Sequence, residues 1–151
     1  MREEQVTKSI LRWLSENRWQ IICFDFPQSG TGVFLHPNGS TEKNKDTINP
    51  DIVAVKGTDG IFFENKDRFY RKDYEKQNKL IMDNPYTDDI QKLLLPYNIQ
   101  HIYYGIGLPT AAHDKRSVAA TGLVDFVIGV NMDYTVSVLY AASNGIRNML
   151  Q

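Results

Sequence analysis

Cysteine is almost absent from this chain of 151 residues. The single Cys23 excludes an internal disulfide and a cysteine metal cage. It sits in the apolar run 21–24 and is expected as a buried strand residue. Long hydrophobic runs are missing too, so no stretch reaches the roughly 20 apolar residues of a membrane-spanning helix. The first residues are charged and helical in character, unlike a secretion signal, and a cytoplasmic protein without membrane attachment is expected. There is no strong charge of either sign. With a formal net charge of −1, attraction to nucleic acid has to come from local patches. Histidine is scarce at three residues, and His101 has no second histidine at ligand spacing, which favours packing over metal binding. The glycines at 30 and 32 are not followed by Gly-Lys-Ser/Thr, which excludes a P-loop. A Ser/His hydrolase is equally unsupported, since there is no nucleophile elbow.

What is present is a 42% hydrophobic chain of a size that suits one domain with a real core, spanning 1–151. Its centre is 49–69, NPDIVAVKGTDGIFFENKDRF. Two short β-prone runs, 52–55 and 61–63, flank the turn-like Gly57-Thr58-Asp59-Gly60. If those four residues form the loop, Lys56 faces Ile61, Val53 faces Glu64 and Asp51 faces Lys66. Opposed residues, and residues two apart on one strand, share a face. Asp51, Glu64 and Lys66 then project from one side, whereas an odd-length loop would send Asp51 to the other.

Two acids and a lysine gathered this way suggest a hard divalent cation. Mg²⁺ takes oxygen ligands and keeps several waters. Held by Asp51 and Glu64, it could lower the pKa of a bound water, while Lys66 orients that water or neutralises the transition state. The plainer alternative is a surface hairpin with a cross-strand ion pair. Against it, Val53 and Phe62 share the charged face, so the charges are partly buried and costly to leave unpaired.

Pro50-Asp51, twelve intervening residues and then Glu64-Asn65-Lys66 resemble the signature of the PD-(D/E)XK nuclease superfamily. Type II restriction endonucleases and archaeal Holliday-junction resolvases belong to that superfamily. The resemblance covers roughly residues 1–107. It implies an α/β fold with a restriction endonuclease-like core, a mixed central β-sheet flanked by helices, here with an extra C-terminal β-hairpin. It also implies catalytic roles for Asp51, Glu64 and Lys66, with Mg²⁺ as cofactor and Mn²⁺ as substitute. Resolvase-like members carry an acid on the first helix, followed three and seven residues later by apolar positions. Glu3, Val6 and Ile10 match that spacing, with Glu4 as the fallback. An acid favoured by the helix dipole in a first turn is the competing account. Such members also have a Ser- and Gly-rich loop after the first strand that approaches DNA, to which Ser29 and Gly30 correspond; a plain turn is the alternative.

The remaining chain has a legible local order. A helix is expected over 1–17 from Val6, Ile10, Trp13 and Leu14, and a strand over 19–26. The polar stretch 36–50 is long for a connection and predicts a flap whose Lys43 and Lys45 touch substrate. Residues 66–79 hold six basic against three acidic side chains, interleaved with Phe69, Tyr70 and Tyr74. Arg68, Arg71 and Lys72 suit a DNA backbone; a solvated helix face with i,i+4 pairs is the alternative. Gln77 matches only loosely a glutamine found after the motif in several branches of the superfamily. A helix over 87–95 with Thr87 as its cap, a strand over 99–104 ending at Gly105, a short helix within 110–120, and a hairpin of 123–130 with 134–140 complete the chain. The expected activity is Mg²⁺-dependent endonucleolytic hydrolysis of DNA, of the restriction type, by a homodimer that presents a second site to the second strand. A Holliday-junction or other structure-specific resolvase is the alternative, as is a non-catalytic DNA-binding subunit of a defence or repair complex.

Overall fold

The computed structural model describes residues 1–25, 32–40 and 46–151. Helix α1 (Glu3–Glu16) places Val6, Ile10 and Leu14 at the spacing of one helical face, and all three are fully buried. A left-handed Arg18 turns the chain back, so that the Trp19 amide bonds the Leu14 carbonyl and β1 (Gln20–Phe24) begins. The chain continues through β2 (Ile52–Lys56), β3 (Asp59–Asn65), α2 (Arg71–Met82), α3 (Thr87–Leu94), β4 (His101–Pro109), α4 (Lys115–Ala120), β5 (Phe126–Val130), β6 (Val136–Ala141) and α5 (Asn144–Leu150).

The six strands form one mixed sheet in the order β1-β2-β3-β4-β5-β6. Pairing is parallel across β3–β4–β5 and antiparallel at both flanks. One face is covered by α1 and α5, which pack Val6, Ile10, Leu14, Ile146 and Leu150 on Ile52, Ile61, Phe63 and Phe126. The other face carries α2, α3 and α4, over two clusters centred on Phe62 with Tyr104 and on Tyr74 with Val127. Among the described residues, no helix is long and apolar enough to cross a membrane.

The central hairpin differs from expectation in its turn. Lys56 pairs with Asp59, so the loop is the two residues Gly57 and Thr58, not four. Gly57 has φ of +60°, and Thr58 is not among the residues of positive φ, the pattern of a type II′ turn with glycine first. Asp59 and Gly60 look like turn residues by composition, but β4 pairs alongside them. A Cβ at Gly60 would stand 3.3 Å from Ile99, which lies against that strand. Two and four are both even, so the alternation of faces along β3 is the one expected.

Four further expectations are corrected. β4 does not stop at Gly105 but runs on to Pro109, with Gly105 and Gly107 inside it. A Cβ on Gly105 would collide with the Phe126 ring, and one on Gly107 with Ile10 and the Asn65 amide, so glycine here marks close approach and not a loop. The C-terminal hairpin is not extra to the sheet but joins it: β5 is an interior strand paired with β4, and of the two strands only β6 lies at an edge. Thr87 is the first residue of α3 rather than its cap. Asn38, from a distant segment, bonds its hydroxyl and accepts from the Asp88 amide. His101 is exposed at the start of β4, 3.8 Å from Asp59, and does not pack in the core. Cys23 is buried as expected, and burial pushes its thiol up to about 11.

Candidate active site

The end of β3 carries the acidic residues and lysine singled out in the sequence. Glu64 is the penultimate residue of that strand and Lys66 follows it directly; the Lys66 amide bonds the Gly107 carbonyl at 3.0 Å, extending the parallel ladder. Asp51 precedes β2. Its amide donates to Phe63 O at 3.0 Å, the residue already paired with Ile52, so the ladder is irregular at this point. The Asp51 carboxylate accepts the Asn65 amide at 2.7 Å. Asn65 is itself fully buried, with its side-chain amide donating to Thr7 Oγ1 of α1 at 3.0 Å. One helix and two strands are thereby fastened together beside the acids.

The first turn of α1 reaches the same place. Glu3 lies 3.7 Å from the Lys66 ammonium, whereas Glu4 turns away and pairs with Lys8 at 2.9 Å. The choice between the two acids follows from helical phase: Glu3 is three and seven residues ahead of the buried Val6 and Ile10. The Lys66 ammonium also stands 5.4 Å from the centre of the Tyr70 ring. An open cleft of about 360 Å³ is lined by Glu3, Lys66, Asp67, Arg68 and Tyr70.

The electrostatics of this cluster are those of acids held too close in too little water. Burial, then the neighbouring Glu64 charge, push the Asp51 carboxyl up to about 8. Burial also raises Glu64, against the opposing pull of Lys76. For Lys66, burial on its own would lower the ammonium. The Asp73, Glu3, Asp51 and Glu64 carboxylates outweigh it and hold the group above its ordinary range. Lys66 therefore stays charged and acts as a cation, not as a base that takes a proton.

Two members of the cluster escaped the reading of the sequence. Asp73 and Lys76 fall in the basic stretch 66–79 that suits a DNA backbone or a solvated helix face, yet both belong to the inward side of α2. Lys76 Nζ donates to Glu64 Oε1 at 2.8 Å. Asp73 is buried, and its Oδ2 has no hydrogen-bond partner. Gln77 fixes the helix, donating to Phe62 O at 3.2 Å and Gly105 O at 2.7 Å. The available signal was spacing: 73, 77 and 80 fall on one helical face, with Leu80 its only aliphatic member.

The other proposed contacts are less gathered. Arg71 and Lys72 are exposed in the first turn of α2, near the cleft. Arg68 is exposed, with its guanidinium on Asp67 at 3.0 Å. Ser29, Gly30, Lys43 and Lys45 lie outside the described residues.

Among the described residues, no group of three or more His, Cys, Asp or Glu side chains is placed to hold a metal ion. Among the described residues, a cation here would draw at most two direct ligands from His, Cys, Asp or Glu side chains, a donor set that suits Mg²⁺, which keeps much of its water. The charge balance points the same way. With all four acids ionised, Glu3, Asp51, Glu64 and Asp73 would exceed Lys66 and Lys76 by two negative charges; a divalent ion would offset both, and the proton that the raised Asp51 holds offsets one. A cation would relieve both the buried Asp73 oxygen that lacks a hydrogen-bond partner and the crowding that raises Asp51. No protein-family model, curated protein or solved structure matches the chain.

Proposed function

We propose that this chain is a Mg²⁺-dependent DNA endonuclease, with the restriction endonuclease-like arrangement of groups that its Pro50-Asp51 and Glu64-Asn65-Lys66 residues resemble. The observation that carries the reading is the convergence of Glu3, Asp51, Glu64 and Lys66, from three separate elements, with the two acids Asp51 and Glu64 crowded in a site of little water. Asp51 and Glu64 would hold the cation, and Mn²⁺ would substitute for Mg²⁺. The bound cation supplies an acidified water and neutralises charge on the phosphate. Lys66, kept protonated by its acidic neighbours and loosely held by Glu3, meets the developing negative charge of the phosphodiester. The Asn65 link to Asp51 and Thr7 keeps these groups in place before substrate arrives. Arg71 and Lys72 would contact the DNA backbone beside the cleft, and a homodimer would bring a second site to the other strand.

The test is nicking of supercoiled plasmid with and without Mg²⁺. Wild type should cut only with the cation, and Lys66→Ala should lose the activity. Equal nicking by the two proteins, or none by either, rejects the enzyme and leaves a DNA-binding subunit. One observation favours a second reading: the acid on the first helix, which resolvase-like members carry, stands beside Lys66. Linear duplex, nicked, flapped and four-way substrates separate the two. Discrete plasmid fragments indicate restriction-type cutting, and cleavage confined to junctions indicates a resolvase.

A further inference from the structure

Two buried carboxylates compete for one ammonium beside the proposed cation site. Lys76 Nζ donates to Glu64 Oε1 at 2.8 Å. Asp73, three residues earlier on α2, is 8% exposed, and its Oδ2 is wholly buried without a partner. Residues three apart in a helix are surface neighbours, so the Lys76 ammonium lies within the field of both acids and bonds only Glu64, while Asp73 also feels, more strongly, the charge of Lys66. The helix cannot shift to mend this, because Gln77 is clamped to the carbonyls of Phe62 and Gly105. The Lys76 side chain can move: it has a flexible four-carbon stem and is 34% exposed.

A buried carboxylate oxygen with no donor is costly, on the order of 1–3 kcal/mol. Such a group persists when another state of the protein uses it. The state that would use this one is easy to identify. A divalent cation and a lysine ammonium cannot share Glu64 without strong repulsion, and an ammonium expelled into a buried site needs an acceptor.

We infer that Lys76 is an exchangeable occupant of the cation site, bonded to Glu64 when no divalent ion is present and handed to Asp73 when one binds. The inference rests on the cation-dependent reading above. It assigns Asp73 a role as receiver of the displaced lysine and gives the site a built-in competitor. Removing the competitor should tighten cation binding, and removing the receiver should weaken it. The two effects should not add, since Asp73 has nothing to receive once the ammonium is gone.

The experiment is calorimetric titration of the full chain with Mn²⁺, with circular dichroism to establish that each variant is folded. Wild type should bind the ion, and Asp51→Asn should bind it less well. Lys76→Met should bind about fivefold or more tighter than wild type, and Asp73→Asn weaker by a similar factor. The double variant should match Lys76→Met. Lys76→Gln stands in for Lys76→Met if the methionine variant does not fold. Unchanged or weaker binding on loss of the lysine overturns the inference. A loss from Asp73→Asn that persists in the Lys76→Met background overturns it too, because Asp73 would then act on the ion directly. If wild type binds no Mn²⁺, the cation-dependent reading itself falls and takes this one with it. Binding by wild type with no asymmetry between the variants removes the exchange alone.

Discussion

Helices α2 and α3 lie on the same face of the sheet and follow each other in the chain, yet their inward sides are built from opposite materials. α3 turns Ile90 and Leu94 onto Val53, Val55 and Phe62. α2 turns in Asp73, Tyr74 and Gln77 with a single leucine, Leu80, and its Lys76 reaches Glu64. The apolar helix is held to the sheet by burial. The polar helix is held by hydrogen bonds to sheet carbonyls and carries an unpaired buried acid. A fold seeking stability alone has no reason to put an unpaired acid over its sheet, so the contrast sets α2 and the end of β3 apart and supports the function proposed there.

The largest way to break the contrast is through activity. Asp51→Asn or Lys66→Ala should lower plasmid nicking by a factor on the order of 10³, as removal of charge-stabilising groups does elsewhere. Ile90→Ala, on the other helix, should leave the activity of the folded protein within about twofold. Comparable losses from both kinds of variant would mean that α3 belongs to the site as much as α2.

Stability should sort the same helices in the reverse direction. Ile90→Ala removes buried aliphatic volume, and urea denaturation should show a loss of about 2–4 kcal/mol. Gln77→Ala removes a side-chain anchor of α2 to the sheet backbone, at about 1–3 kcal/mol. Asp73→Asn should cost nothing or stabilise, because the carboxylate it removes is buried without a partner. A clear destabilisation by that variant would show that the Asp73 carboxylate already has a partner.

Much of this arrangement could be read in the chain before folding, and the rest could not for definite reasons. The period of Val6, Ile10 and Leu14 gave the first helix and the side on which Glu3 falls. The β-prone runs on either side of Gly57 gave the hairpin and its even parity. The turn length was not legible, because Asp59 and Gly60 have turn composition and only the neighbouring β4 draws them into a strand. Gly105 and Gly107 read as punctuation for the same reason: the Phe126 ring and the Ile10 side chain that demand them come from distant parts of the chain. The inward polar side of α2 was hidden by the Arg and Lys residues around it, which made the whole segment look solvent-facing. α5 buries only Ile146 and Leu150 and offers too little pattern to announce a helix.

Acidity gives a test that needs no substrate. Asp51 is raised from its ordinary range to about 8, so the folded protein binds a proton there that the unfolded chain releases near pH 4. Between about pH 4 and pH 8 the native state holds more protons than the unfolded one, and stability falls as pH rises through that window. The loss in cation-free buffer should be on the order of a few kcal/mol. Mg²⁺ should restore much of it at neutral pH, by replacing the proton as the counter-charge. Asp51→Asn should flatten both responses. A wild-type stability that is flat from pH 5 to 8 would mean that the Asp51 carboxylate is already compensated.

The smallest effect concerns how each helix begins. α2 starts at Tyr70 with no side-chain cap and relies on Gln77 further along. α3 starts at Tyr86, also without a cap of its own, but borrows one from Asn38, whose Oδ1 accepts the Asp88 amide at 2.9 Å and whose Nδ2 donates to Thr87 Oγ1 at 2.8 Å. A borrowed cap does what a local one does for the free amides of a first turn, so Asn38→Ala should cost about 1 kcal/mol. Asn38→Asp keeps the acceptor and favours the positive end of the helix dipole, but it loses the amide donor and adds a third negative charge beside Asp88 and Asp89. Its cost should fall between those of wild type and alanine at high salt, where that repulsion is screened, and approach the alanine value at low salt. If aspartate proves as harmful as alanine at every ionic strength, the donor to Thr87 and not the acceptor for Asp88 is what holds α3 in place.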